Sequence, residues 1–175
     1  MEVILDKFKW FWAWQDEKEE AWLQKMSQQG FHLLSVKLFG RYSFRLGDKT
    51  DYAYRLDYLT NRKDRQNYLQ LFQDAGWEHV GEVTGWQYFR KQVEVGESPE
   101  IYTDVESKVA KYKIFIAYFG IIDIIMITVF GSRIMQHYPY DWWIIVRIIF
   151  CLVVLLLTYV IARFAIRIRQ LRRLK

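Results

Sequence analysis

"GRYSFR" at residues 40–45 and "GWQYFR" at residues 85–90 repeat one pattern: a glycine, three residues mixing aromatic and polar side chains, then Phe-Arg. Upstream of a one-residue gap the match continues at an offset of 46. Phe31 falls on Trp77, Gly30 on Gly76, Met26 on Phe72, Leu23 on Leu69 and Trp22 on Tyr68. Carried further, the same offset lays Trp12 on Tyr58 and Phe8 on Tyr54. A register that holds through successive elements is the mark of internal duplication.

Each unit reads as strand, helix, strand, strand. In "KWFWAWQDEKEEAWL" (residues 9–23) the side chains of Phe8, Trp10, Trp12 and Trp14 alternate, as do Tyr52, Tyr54, Leu56 and Tyr58 in the second unit; period-two alternation predicts one face of a strand. Asp16 followed by Glu19 has capping-box spacing, so a helix is expected to start at Asp16 with Trp22, Leu23 and Met26 as its apolar stripe. Tyr68, Leu69, Phe72 and Ala75 form the second stripe, and Gly30 and Gly76 stand where left-handed glycines close helices. Strands are predicted for "FHLLSVKLF" and "RYSFRL", then "WEHVGEV" and "WQYFRKQV". The expected fold is α+β: a duplicated βαββ two-layer sandwich with two helices on a mainly antiparallel sheet, over residues 1–95, followed by a two-helix transmembrane hairpin.

Charge divides along the chain. Residues 1–100 hold 14 Lys/Arg and 16 Asp/Glu, and residues 101–175 hold 11 and 4, so the net +5 belongs to the apolar C-terminal part. A soluble nucleic-acid binder would carry its positive charge on the folded domain, so no nucleic-acid partner is expected. The lone Cys151 has no disulfide partner, the three histidines are scattered, and no metal-ligand spacing occurs. No glycine-rich phosphate loop, nucleophile elbow or HExxH appears, so neither a cofactor nor an enzymatic activity is expected. Arg45, Arg55 and Arg90 alternate with Phe44, Tyr54 and Phe89, and with Asp57 nearby they read as a solvated, salt-bridged face. The N-terminus lacks the pattern of a cleaved signal peptide.

"IFIAYFGIIDIIMITVF" (114–130) and "WWIIVRIIFCLVVLLLTYVIA" (142–162) each carry one charge. About 20 apolar residues cross a bilayer as helix, and the first run reaches that length through Ile134. The expected division is a hinge and juxtamembrane helix at 96–113, spans at 114–134 and 142–163, an external loop at 135–141, and a basic tail at 164–175. Lysines before the first span and arginines after the second place both termini in the cytoplasm of a multi-pass cell-membrane protein, with Tyr138, Tyr140, Trp142 and Trp143 as an outer aromatic belt. Asp123 and Arg147, one in each span, are expected to form an intramembrane polar pair, a pairing device in preference to a proton relay. Arg163, Arg167, Arg169, Arg172 and Arg173 are candidate contacts for anionic lipid, or fix topology alone. Thr103 and Glu106 again have capping-box spacing, which starts a helix that runs into the first span.

The stretches "EEAWLQKMSQQGFHL", "YAYRLDY", "FQDAGWEHVGEVTGWQYFRK" and "EIYTDVESKVAKYK" resemble the bacterial domain of unknown function 2812 family, best known from Firmicutes, over roughly residues 8–113. Members of that family often carry C-terminal hydrophobic spans and commonly lie beside PadR-type regulators, so the resemblance implies a membrane-linked regulatory or stress-response role. It transfers no catalytic residue. At the level of topology, tandem βαββ units also look like the GyrI-like effector-binding domains, which hold hydrophobic small molecules between their halves.

The expected function is a membrane-anchored, cytoplasm-facing sensory or regulatory module that binds a hydrophobic small molecule or a protein partner. Trp12, Trp14, Tyr54, Tyr58 and Trp86 are the candidate ligand-binding rings. The alternative is a non-catalytic accessory or scaffold subunit of a membrane complex. Expected partners are membrane lipid, a second copy of the chain, and a regulator or membrane complex.

Overall fold

The computed structural model describes residues 4–59, 64–93, 105–134 and 142–173. Contacts divide the chain into two compact units, Met1–Ile101 and Tyr102–Lys175. The hinge around 94–100, the Thr103–Glu106 spacing and the loop at 135–141 lie outside the described residues.

The first unit is βαββ twice: β1 (Ile4–Phe8), α1 (Asp16–Gln28), β2 (Phe31–Lys37), β3 (Arg41–Leu46), then β4 (Tyr52–Tyr58), α2 (Arg65–Asp74), β5 (Glu78–Val83), β6 (Trp86–Gln92). The single sheet expected from sequence is two antiparallel three-stranded sheets, ordered β1-β3-β2 and β4-β6-β5, with β2 beside β5. The duplication extends to detail. Both second strands are irregular at the same place, Leu33/Ser35 and His79/Gly81, and both hairpins turn through two left-handed residues, Phe39–Gly40 and Thr84–Gly85. Two successive positive φ angles define the type I′ turn, whose twist matches the flanking strands. Gly30 and Gly76 close their helices at φ +88° and +80°.

The opening strand lies elsewhere than its alternation predicts. Residues 9–14 are not strand; β1 is the preceding "ILDKF". Ile4 pairs with Arg45 as Tyr54 pairs with Arg90, so the structural counterpart of Tyr54 is Ile4 and that of Tyr58 is Phe8. The physical reason is the length of β3. Its hairpin begins at Gly40, whose carbonyl accepts the Lys9 amide at 2.8 Å, and beyond that point no strand edge remains for residues 10–14. The chain therefore turns, with Gln15 N–H donating to Trp12 O at 2.7 Å, and enters α1.

Helix α1 serves both sheets. Trp22 meets Tyr42 and Phe44 edge-on, and Leu23 and Met26 join Leu33, Tyr54, Leu56 and Tyr88 in one core. The helix also satisfies the outer edge of β4. Glu20 Oε1 accepts the Leu56 amide at 2.8 Å, and Ser27 Oγ accepts the Tyr52 amide at 3.2 Å. An edge strand left with bare N–H groups invites pairing with another chain, so covering it this way also protects the sheet. Helix α2 packs on the opposite face of the second sheet, where Phe72 stacks on Phe89 at 4.0 Å beside Ala53 and Trp77. Ala75, assigned to its apolar stripe, is exposed just past the helix end.

The second unit is a helical hairpin. Helix α3 (Val105–Ile125) continues through a π-helical turn (Met126–Phe130) into α4 (Gly131–Ile134), and α5 (Trp142–Arg173) packs against α3. Phe164 is buried against Tyr112 and Phe115, with centroids at 5.7 and 5.4 Å. Segments Val109–Ile134 and Trp143–Arg173 are long and apolar enough to cross a membrane. Helix α5, with 32 residues, is about 48 Å long at ~1.5 Å per residue, well beyond a hydrocarbon core of ~30 Å.

Candidate functional site

A cavity of about 290 Å³ lies in the first unit where α1 meets both sheets. The central strand of each sheet contributes a tyrosine, Tyr42 from β3 and Tyr88 from β6; α1 contributes Asp16 and Glu19; Trp12 and Trp86 add indole faces. The volume is at the small end of ligand pockets, roughly 300–1,000 Å³.

Glu19 is its polar centre. The hydroxyls of Tyr42 and Tyr88 both donate to Glu19 Oε1, each at 2.7 Å, and all three side chains are buried. Burial raises the Glu19 pKa above the ordinary carboxylate value; the two tyrosine hydrogen bonds pull it back, and the nearby Asp16 charge raises it further. Burial and the Glu19 carboxylate also push both phenols far up, so they stay protonated donors. Both tyrosine bonds fall on Oε1, which leaves Oε2 as acceptor capacity for a guest.

Of the five candidate ligand rings, the cavity brings together Trp12 and Trp86. Trp14 is buried and stacks on Trp12 with centroids at 5.2 Å, so it supports that ring from behind. Tyr54 lies in the core, its hydroxyl accepting the Leu33 amide at 3.4 Å. Tyr58 meets Trp86 edge-on at 5.6 Å, under Gly85, and orients that indole. The Trp10 and Trp12 side chains are exposed while Trp14 is buried, so the shared strand face expected for the three does not form.

Sequence reading passed over Glu19, Tyr42 and Tyr88. Glu19 looked like the partner in a capping box, but no side chain caps α1, and Gln15 occupies the N-cap. A signal was present: Glu19, Leu23 and Met26 follow helical i, i+4, i+7 spacing, which puts an acid on the buried stripe. Glu20 is a similar case. It binds Arg55 at 3.0 Å, while Arg90 pairs with Glu78 at 2.7 Å and Asp57 accepts from the Tyr68 hydroxyl at 2.8 Å, so the expected arginine–Asp57 face is resolved into other pairs.

In the hairpin, Asp123 and Arg147 have different partners. Thr158 Oγ1 donates to Asp123 Oδ2 at 3.1 Å, whereas Arg147 Nε donates to the Ile134 carbonyl at 3.1 Å. Thr158 lies eleven residues beyond Arg147 on α5, about 16 Å along the axis at ~1.5 Å per residue, farther than an arginine side chain reaches. Asp123 Oδ1 is buried with no hydrogen-bond partner among the described residues. On the basic end of α5, Arg163 and Arg167 are half-buried and Arg169, Arg172 and Arg173 exposed. Among the described residues no group of His, Cys, Asp and Glu is placed to hold a metal ion.

These features define a class: a tandem βαββ domain with an aromatic cavity, joined to a hairpin of helices able to span a bilayer. The chain belongs to the family described as protein of unknown function (DUF2812), whose profile matches residues 15–122. Neither the curated proteins nor the solved structures gave a match, and the likeness to GyrI-like domains is not shown.

Proposed function

We propose that this protein is a membrane-anchored binding module that takes a small hydrophobic molecule into the Glu19 cavity. With both termini in the cytoplasm, as the flanking lysines and arginines favour, it reports occupancy through its hairpin. The observation that carries the reading is the buried carboxylate of Glu19, held by two tyrosine hydroxyls from different sheets inside an aromatic cavity. Burying a carboxylate is costly unless it is well partnered. The arrangement suits a guest with an aromatic or aliphatic body and one cationic or hydrogen-bond-donating group directed at Oε2. A ligand bridging Tyr42 and Tyr88 touches both sheets at once, which gives binding a route to change their packing.

The test is titration of the full chain in detergent micelles or nanodiscs with lipophilic amines and their neutral isosteres, followed by tryptophan emission. Saturable quenching that favours the amine and weakens in Glu19→Gln supports the reading. A folded protein that shows no saturable change with either series refutes it.

A second reading, an assembly subunit, has its own observation: Asp123 Oδ1 is buried on an apolar helix with no hydrogen-bond partner among the described residues. A partner helix that donates to that oxygen satisfies it, as polar groups in membrane bundles tend to be satisfied.

A further inference from the structure

The cavity mouth is built from exposed apolar side chains. Trp10, Trp12, Leu38 and Phe39 line the cavity, yet are 50%, 44%, 55% and 73% exposed, and neighbouring Phe8 is 70% exposed. A side chain that lines a cavity and also faces solvent stands at the rim. Scattered exposed hydrophobics need no explanation, but four at one cavity mouth on two tied loops do. The loops are fixed to each other by the Lys9 amide donating to Gly40 O, at 2.8 Å. Phe39 sits at φ +64°, uncommon for a bulky residue, and that conformation presents its ring outward at the hairpin tip.

The surrounding charge is cationic. Strand registers set Phe8, Arg41 and Lys37 side by side in one row across the first sheet, and Lys9 lies over the Phe11 and Trp22 rings at 5.2 and 4.8 Å. Lys9, Lys37 and Arg41 stand on or beside these two loops, and the one acid on β1 and the loops is Asp6. Two tryptophans, two phenylalanines and a leucine ringed by lysine and arginine match the chemistry of an anionic lipid interface, where indoles sit at headgroup level. A second copy is disfavoured because two such cationic faces repel. The same chain also supplies the surface: eleven residues separate Val93 from Val105, and they span at most ~40 Å at ~3.5 Å each. The domain shares its chain with helices apolar enough to enter a bilayer.

We propose that this rim is a membrane-docking face. Phe8, Trp10, Trp12, Leu38 and Phe39 insert at the interface of an anionic leaflet, and the Glu19 cavity fills from the lipid side. The filling route rests on the binding reading above; the docking does not.

The test uses the full chain in nanodiscs containing phosphatidylglycerol, in a Cys151→Ala background. A nitroxide is placed through Phe39→Cys or, as a second site in case the turn is disturbed, Leu38→Cys, with Asp48→Cys at the other end of β3 as the aqueous reference. Docking predicts that labels at 38 and 39 gain oxygen accessibility and lose access to a water-soluble nickel chelate several-fold relative to 48. Labels as accessible to nickel as the reference overturn it. So do labels shielded from both reagents, which indicate a protein interface. Saturable amine binding alongside water-exposed labels sinks docking and leaves the binding reading standing; lipid-exposed labels without ligand binding do the reverse.

Discussion

Tyr42 and Tyr88 stand on the central strands of different sheets and donate to the same oxygen, Glu19 Oε1, each at 2.7 Å. A single carboxylate thus ties the two repeats together. Removing one donor from a buried, hydrogen-bonded carboxylate costs about 1–3 kcal/mol. Tyr42→Phe and Tyr88→Phe are each expected to destabilise the first unit by that order. The double variant should depart from additivity, because the two share an acceptor. Hydrogen exchange on the full chain, read at β3 and β6, measures both.

The pH dependence follows from the raised pKa of Glu19. The folded protein holds this proton to higher pH than the unfolded chain does. Between the ordinary glutamate value and the raised one the native state therefore binds more protons, and the Glu19 contribution to stability falls as pH rises. Glu19→Gln keeps an Oε1 acceptor for both tyrosines and removes the charge. Its stability should rise relative to wild type as pH climbs through that window, and match it more closely at low pH. Thermal melts from pH 4 to 8 on both proteins test the sign; a constant difference would contradict it.

Glu20 offers a separate test of the α1–β4 seam. Its carboxylate takes the Leu56 amide on one oxygen and Arg55 on the other, at 2.8 and 3.0 Å. Breaking a buried pair by removing one partner costs about 3–5 kcal/mol. Glu20→Ala should approach that figure and expose the β4 edge, with self-association detectable by light scattering. Arg55→Ala, which leaves the amide bond in place and removes the more exposed partner, should cost less.

Two glycines separate conformation from space. At Gly40, with φ +71°, an added Cβ would collide with the Lys9 carbonyl, so Gly40→Ala should disrupt the tie between the rim loops. Gly81 has no atom within 4 Å of such a Cβ and an ordinary φ, so Gly81→Ala should be neutral or stabilise by about 0.4–1 kcal/mol. The denaturation midpoint should fall for Gly40→Ala and stay level or rise for Gly81→Ala.

For the hairpin, Thr158 Oγ1 also bonds the Val154 carbonyl at 3.0 Å, so losing Asp123 does not leave it unsatisfied. Asp123→Ala should therefore leave the hairpin folded. In the assembly reading it should also reduce crosslinking between copies through the exposed Cys151. Unchanged crosslinking would count against assembly through Asp123.

The duplication was legible in the sequence because its markers are local. Gly30 and Gly76 are needed for left-handed helix ends, and the strands around "RYSFR" and "WQYFR" alternate clearly. The first strand was not legible. Alternation in "FKWFWAW" satisfies the strand pattern, yet a strand needs a partner edge, and β3 ends too early to supply one. The offset of 46, correct across the helix ends, therefore failed upstream.

Sequence alone determined the class, α+β units in tandem followed by two apolar helices, because periodicity, helix-closing glycines and hydropathy act over a few neighbouring residues. Tertiary structure alone decided the site. Glu19, Tyr42 and Tyr88 are separated by 23 and 46 residues along the chain, and nothing in their local sequence requires them to meet. They converge because α1 is wedged between its own sheet and the edge of the next. That packing turned an apparent helix cap into a buried carboxylate, and an apparent strand face of three tryptophans into one buried ring and two at the rim.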